Sequence, residues 1–402
     1  MMQNKPYLSL AERDRRYKLV RQAMKERGLD VLLVWGDSGK WDWRMANIQY
    51  LSGGFGGNGD DGLMVFPLEG EPTIIPWGSA EASSSFIKGW IEYGIWITDF
   101  RSREDSSYAK PAVELLKELK LTKATIGIPG LVKEDRILIP SAVFTELRAE
   151  LPKADLRDAS GLIEDIRLVK SPEEIALMEK AAQIGEAAID TLAEVARPGV
   201  PENEVVGAMF HTMLSQGADL PIMFLWDAGR PSYIARLVWT RRRPLQKGDI
   251  ILAEFSPRFH GYCNHLNQSA VVGDWPDKEW EKLYQAHIAS YRAGYNLIRP
   301  GITVGELAKA FNKPFVAAGF PPSRGKGWHG EGLGNEGKGG GSTPIDEAQA
   351  STVFREGMTL AFESKTHSRD NSKGILTGDV VLVTHDGRRR LGKREPEIVI
   401  CK

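Results

Sequence analysis

Glu254, His265 and Asn267 fall within one stretch, residues 247–273 (KGDIILAEFSPRFHGYCNHLNQSAVVG), whose other residues are largely apolar. Carboxylate and imidazole are side-chain types that move protons or ligate cations near neutral pH. An apolar strand accepts them only with partners, and buried ionisable clusters mark functional pockets more often than passive core networks. The apolar runs 250–255 and 262–272 flank the turn-prone Pro257-Arg258-Phe259-His260-Gly261, so the stretch reads as a β-hairpin with Glu254 on one arm and His265 and Asn267 on the other. His260, at the tip, joins the candidate set.

The elements that position these residues need a chain of this size. At 402 residues, two domains are expected rather than one core. Hydrophobic residues at 42% and charged residues at 26% are those of a soluble globular protein. Lys and Arg (52) nearly cancel Asp and Glu (53), which gives no electrostatic case for nucleic acid or a membrane surface as partner. The first residues lack the apolar core of a secretory leader, and nowhere is there an apolar run of about 18 residues, so a cytoplasmic location is expected. Cys263 and Cys401 cannot make a disulfide framework.

Periodicity predicts a helix over 9–28 closed by Gly28, strands at 30–35, 63–66, 72–75 and 124–129, and helices at 110–121 and 141–150. That alternation describes an α/β domain. The glycine cluster at 53–62, GGFGGNGDDG, lacks the ending and the strand-to-helix setting of a phosphate cradle and reads as a loop. Ser171 as N-cap, Pro172 at the first turn and Glu174 two positions on predict a firm helix start, running to Arg197. The domain boundary is expected between 160 and 170. Beyond it, helices at 202–216, 277–298 and 304–318 alternate with strands at 250–255, 263–272, 359–364 and 379–383, a mixed antiparallel α+β domain.

Five runs in fixed order carry a resemblance: RLVKSPEEI (167–175), RPLQKGDII (243–251), HGEGL (329–333), REGMTLAFE (355–363) and GDVVLVTHDG (378–387). With these the chain resembles the pita-bread superfamily of methionine aminopeptidase, prolidase, aminopeptidase P and creatinase. The resemblance implies an α+β chain. A creatinase-type N-terminal domain would span residues 1–162 and a pita-bread catalytic domain residues 163–402, in a homodimer acting on a small-molecule substrate. Peptidases of this superfamily hold two metal ions with two Asp, one His and two Glu. Laid on this sequence, those positions are Glu254, His265, His329, Glu363 and Gly378, while two helper histidines fall near Leu237 and on Glu336. A two-ion clamp needs bridging carboxylates, which Gly378 does not offer.

Two chemistries stay open for what remains. His265, His329 and Glu363, with Glu254 nearby, suit one divalent ion. Alternatively the site has no cofactor, as the resemblance to creatinase implies, with Glu254 and Glu363 binding a cationic substrate and His329 or His265 acting as general base. The favoured activity is hydrolysis of a non-peptide C–N bond in a small cationic or zwitterionic molecule. A one-metal lyase or an Xaa-Pro-type relative is the alternative, and a catalytically inactive peptide-binding module is the third, since this fold also serves in histone chaperones. Trp35, Trp41, Trp43, Trp226, Trp239 and Trp328, with Glu254, Glu331, Glu336 and Glu363, offer the makings of an aromatic, acidic pocket for an ammonium or guanidinium group; any one Trp reads more readily as core or interface filler, and Trp328, immediately before His329, is the exception expected in the pocket wall. Arg236 or Arg241 would fork onto a substrate carboxylate. His367, four residues past Glu363, is placed within reach, and the loop 337–342 is read as a lid. The basic runs 241–243 and 388–390 read as solvated turns.

Overall fold

The computed structural model describes residues 8–39, 41, 43–57, 59–78, 88–89, 91–103, 105–131, 138–220, 222–230, 241–322, 328–336 and 347–402. The chain divides into two compact units, Met1–Arg167 and Leu168–Lys402.

In the first unit, α1 (Leu10–Arg27) begins where the Ser9 hydroxyl accepts from the Glu12 amide, and it ends at Gly28, whose φ of 64° only glycine adopts without strain. It is followed by β1 (Val31–Asp37), α2 (Ala46–Ser52), β2 (Asp61–Pro67), β3 (Thr73–Pro76), β4 (Asp99–Phe100), α3 (Ala109–Glu118), β5 (Thr125–Ile128), α4 (Ser141–Glu150), β6 (Asp155–Asp158) and α5 (Leu162–Arg167). The strands form one sheet in the order β4-β3-β2-β1-β5-β6, antiparallel between β1 and β2 and parallel between β1 and β5. Val31, Leu33 and Trp35 of β1 pack with Leu63, Val65 and the apolar face of α3. The glycine-rich stretch leads into β2, a strand, so the helix N-terminus that a phosphate cradle requires does not follow it.

The second unit opens with α6 (Pro172–Val195), held by a reciprocal capping box between Ser171 and Glu174. Then come α7 (Glu202–Ser215), β7 (Met223–Gly229), β8 (Ile250–Ser256), β9 (Arg258–Phe259), β10 (Tyr262–Cys263), β11 (Leu266–Val272), α8 (Lys278–Leu297) and α9 (Val304–Ala317). After these follow β12 (Trp328–Glu331), β13 (Asn335–Glu336), α10 (Glu347–Ala350), β14 (Thr359–His367), β15 (Gly374–Thr384), β16 (Gly387–Arg390) and β17 (Val399–Cys401). A nine-stranded sheet runs β13-β12-β14-β15-β11-β8-β7, with β16 on β15 and β17 on β11. Ile251, Ala253 and Phe255 of β8 pack against Ile184 and Leu192 of α6 and Met209 of α7, while Leu360 and Phe362 of β14 pack against Tyr291 of α8 and Leu307 of α9.

Three expectations are corrected here. The strand expected over 263–272 breaks at Asn264-His265, which frees His265 from strand alternation. β14 and β15 extend beyond their expected ends because polar residues 364–367 pair in register with 374–377. Arg388–Arg390 lie in β16 and not in a turn. Among the described residues no helix is long and apolar enough to cross a membrane.

Candidate active site

Glu254, Asn267, Gly378 and Glu363 stand in one row across four neighbouring strands: Asn267 pairs with both Glu254 and Gly378, and Gly378 with Glu363. Paired residues in an antiparallel ladder share a face, so the row projects to one side of the sheet. His329 joins that side from β12, because it pairs with Ala361, two residues before Glu363. His265 enters from the break before β11, with Nδ1 2.9 Å from Ser256 Oγ. All four expected catalytic residues thus converge, each at least nine-tenths buried.

The distances define the cluster. His265 Nε2 lies 3.3 Å from Glu363 Oε2 and 3.6 Å from Glu254 Oε1, and His329 Nε2 lies 3.8 Å from Glu363 Oε1. The two rings meet edge to face at 5.1 Å. His329 Nδ1 is 3.0 Å from the Gly330 carbonyl and 3.4 Å from Glu331 Oε2, which brings Glu331 into the cluster. Asn267 Nδ2 donates to Glu363 Oε2 at 3.0 Å.

Lys365 is the residue that sequence reasoning missed. Its Nζ lies 2.9 Å from Glu254 Oε2 and 2.9 Å from Glu363 Oε2. The signal was the period of two in Glu363-x-Lys365, which places both on one face of a strand, but the strand was expected to stop at residue 364. The two carboxylates expected to receive a cationic substrate therefore already hold a cation of the chain itself.

Electrostatics follow from these contacts. Burial pushes the Glu363 carboxyl up, yet Lys365, His265 and His329 outweigh it and hold it well below the usual range. Burial pulls Lys365 and His265 down, but Glu363 and Glu254 raise both above their ordinary values. His265 is thereby biased towards imidazolium.

The other expected residues divide. His367 lies on the same face of β14 as Glu363 and Lys365, with Nδ1 2.8 Å from the Ser368 carbonyl. Glu336 is buried in an ion pair with Lys170 and is not open to a substrate ammonium. His260 sits on the hairpin turn at φ 48°, edge-on to Phe259, and Asp219 is the charge facing it. Trp328 is corrected from pocket wall to core: adjacent strand residues face opposite ways, so as His329 points to the cluster, Trp328 packs on Phe354 at 4.9 Å. Trp226 is core too, its Nε1 donating to Glu202. Trp35 packs edge-on to Tyr108 in the first unit, where Trp41 and Trp43 pair with each other. Arg241 is taken up by Glu202 and Asp227. Arg236, Leu237, Trp239 and the loop 337–342 lie outside the described residues.

The donor set can be tested against metal. A two-ion site does not fit: a Cβ at Gly378 would come within 2.6 Å of the Phe362 carbonyl and 2.8 Å of Glu363 Cα, and Lys365 occupies Glu254 and Glu363. One donor atom each from His265, His329 and Glu363 lie within 4.8 Å of one another, a spacing that suits a single ion.

A nine-stranded sheet with this buried row, in a chain that also holds a smaller α/β unit, defines a two-domain pita-bread chain of the creatinase type. Residues 176–385 match the model of metallopeptidase family M24 and residues 16–169 that of the creatinase/prolidase N-terminal domain, and the chain belongs to metallopeptidase family M24, among hydrolases. It is 24% identical over 387 residues to the Xaa-Pro dipeptidase of Pyrococcus horikoshii, covering 95% of this chain and 98% of that protein. It is 23% identical over 399 residues to the creatinase of a Bacillus species, covering 97% and 92%. Its fold matches the crystal structure of the prolidase from Pyrococcus horikoshii OT3 with a TM-score of 0.75 at 21% identity, covering 96% of this chain and all of that one.

Proposed function

We propose that this chain hydrolyses a non-peptide C–N bond in a small zwitterionic molecule, and that it works as a homodimer. One observation carries the reading: two imidazoles flank a single carboxylate, Glu363, each with its outer nitrogen fixed by a neighbour. The Gly330 carbonyl only accepts, so His329 Nδ1 carries a proton and Nε2 keeps the lone pair in the neutral ring. His329 is then the base. It takes a proton from water as the water oxygen bonds to the substrate carbon. His265, biased towards imidazolium, gives its proton to the departing nitrogen as the C–N bond breaks. Glu363 lies between the rings, where the proton returns from His329 to His265. The cluster offers both signs of charge, Glu254 and Glu363 beside Lys365, which suits a zwitterion better than a simple cation.

A panel of ureido, guanidino, cyclic amidine and betaine compounds, read by release of ammonia or amine, tests this. Turnover lost about a thousandfold or more in His329→Gln supports it. Cleavage of Xaa-Pro dipeptides, with no compound of the panel turned over, sinks it. Light scattering in solution tests the dimer. The spacing of His265, His329 and Glu363 favours a second reading, in which these three hold one divalent ion that would polarise a substrate oxygen.

A further inference from the structure

Two carboxylates buried side by side require a counter-charge. In this chain Lys365 provides it, with Nζ 2.9 Å from one oxygen of each. The placement is built into the sheet. Lys365 follows Glu363 by two residues on β14, and nine registered pairs with β15 hold that strand to His367. Between them, Thr366 points the other way, its hydroxyl 2.8 Å from Nδ1 of the buried His287, so Lys365 can only face the cluster. Across the row, Gly378 leaves no side chain where a bridging carboxylate would stand, and the Asn267 amide reaches over it to Glu363. An ammonium carries three N–H donors; among the described residues, two are taken by Glu254 and Glu363.

We propose that the Lys365 ammonium is the resident cation of this site, standing in place of a metal ion, and that its remaining N–H donates to the oxygen of the scissile group. It stays protonated throughout and forms no covalent bond. The negative charge that develops on that oxygen when water adds meets a fixed positive charge, the condition under which electrostatic stabilisation is strongest. The electrophile half of the assignment rests on the hydrolase reading above, whereas the cation half is measurable without any substrate.

The experiment measures metal content by mass spectrometry and melting temperature with and without Zn²⁺, on the wild-type chain and on Lys365→Met, Lys365→Gln and Lys365→Arg. The wild type should carry well under one ion per chain, show no shift with Zn²⁺ and keep its turnover after chelation. Lys365→Met, with its two carboxylates released, should take up one Zn²⁺ per chain, melt at least about 2 °C higher with it, and lose turnover about 10²- to 10³-fold. Lys365→Arg keeps the charge and should take up no ion. If Lys365→Met does not fold, the smaller polar Lys365→Gln carries the same expectations. A wild-type chain purified with one tightly held ion whose removal abolishes activity overturns the assignment, as does full turnover in Lys365→Met. A wild type that turns over no panel compound yet shows the expected metal behaviour removes the hydrolase reading and upholds the resident cation.

Discussion

Replacing Lys170 by Met should destabilise the chain by about 3–5 kcal/mol and slow its chemistry through a residue it never touches. Lys170 and Glu336 form an ion pair whose side chains are each 1% exposed. Removing one partner of a buried pair typically costs about 3–5 kcal/mol. The catalytic effect comes through the backbone. Glu336 pairs with Gly330, next to His329, and a loosened β13 lets the imidazole drift from Glu363. Urea unfolding of the full chain, with Lys170→Met, Glu336→Leu and the double variant, measures the stability loss, and turnover of the same variants measures the catalytic one. A loss under about 1 kcal/mol, or a double variant no more stable than Lys170→Met, refutes the reasoning.

His287 is buried between Thr366 and Thr377, each 2.8 Å from a ring nitrogen, and burial drives its pKa down to about 3. Its folded value lies below the unfolded one of about 6.5, so the stability it contributes is whole above pH 6.5. As pH falls from there towards 3, about 4–5 kcal/mol of it is lost. His287→Asn should flatten that part of the stability curve in urea titrations, and identical slopes for the two proteins would tell against it. Gly378→Ala presses a methyl group onto the Phe362 carbonyl and Glu363 and should cost about 1–3 kcal/mol together with most of the turnover; a variant as stable and active as the wild type contradicts the close strand approach. Asn267→Leu removes the donor to Glu363 and should reduce turnover about tenfold or more with little change in substrate affinity, so a change confined to KM speaks against a positioning role.

The sequence made the hairpin legible because polar residues in apolar strands stand out, and the capping box of α6 was readable because its partners lie three residues apart. The convergence of Glu254, His265, His329 and Glu363 came from the resemblance, since nothing local links residues on four segments. Lys365 escaped because the run Ser364-Lys365-Thr366-His367 is polar throughout and reads as loop; only pairing with 374–377 makes it a strand. Trp328 was misplaced by adjacency, because neighbours in a strand share sequence and not surroundings. The role of Glu336 depends on a lysine 166 residues away, a distance over which composition carries no information.

The row Glu254–Asn267–Gly378–Glu363 ties the chemistry to strand register. A slip of one residue in β8, β11 or β14 would turn that strand's contribution to the opposite face, and the cluster would lose a member outright instead of weakening; a slip in β15 would bring the side chain of Thr377 or Asp379 to the place Gly378 leaves open. Misregistered chains are therefore silent, not sluggish. Activity per chain in such a protein counts the molecules whose four strands are in register, and refolded samples should recover turnover in proportion to the fraction correctly assembled, with each active molecule working at the full rate.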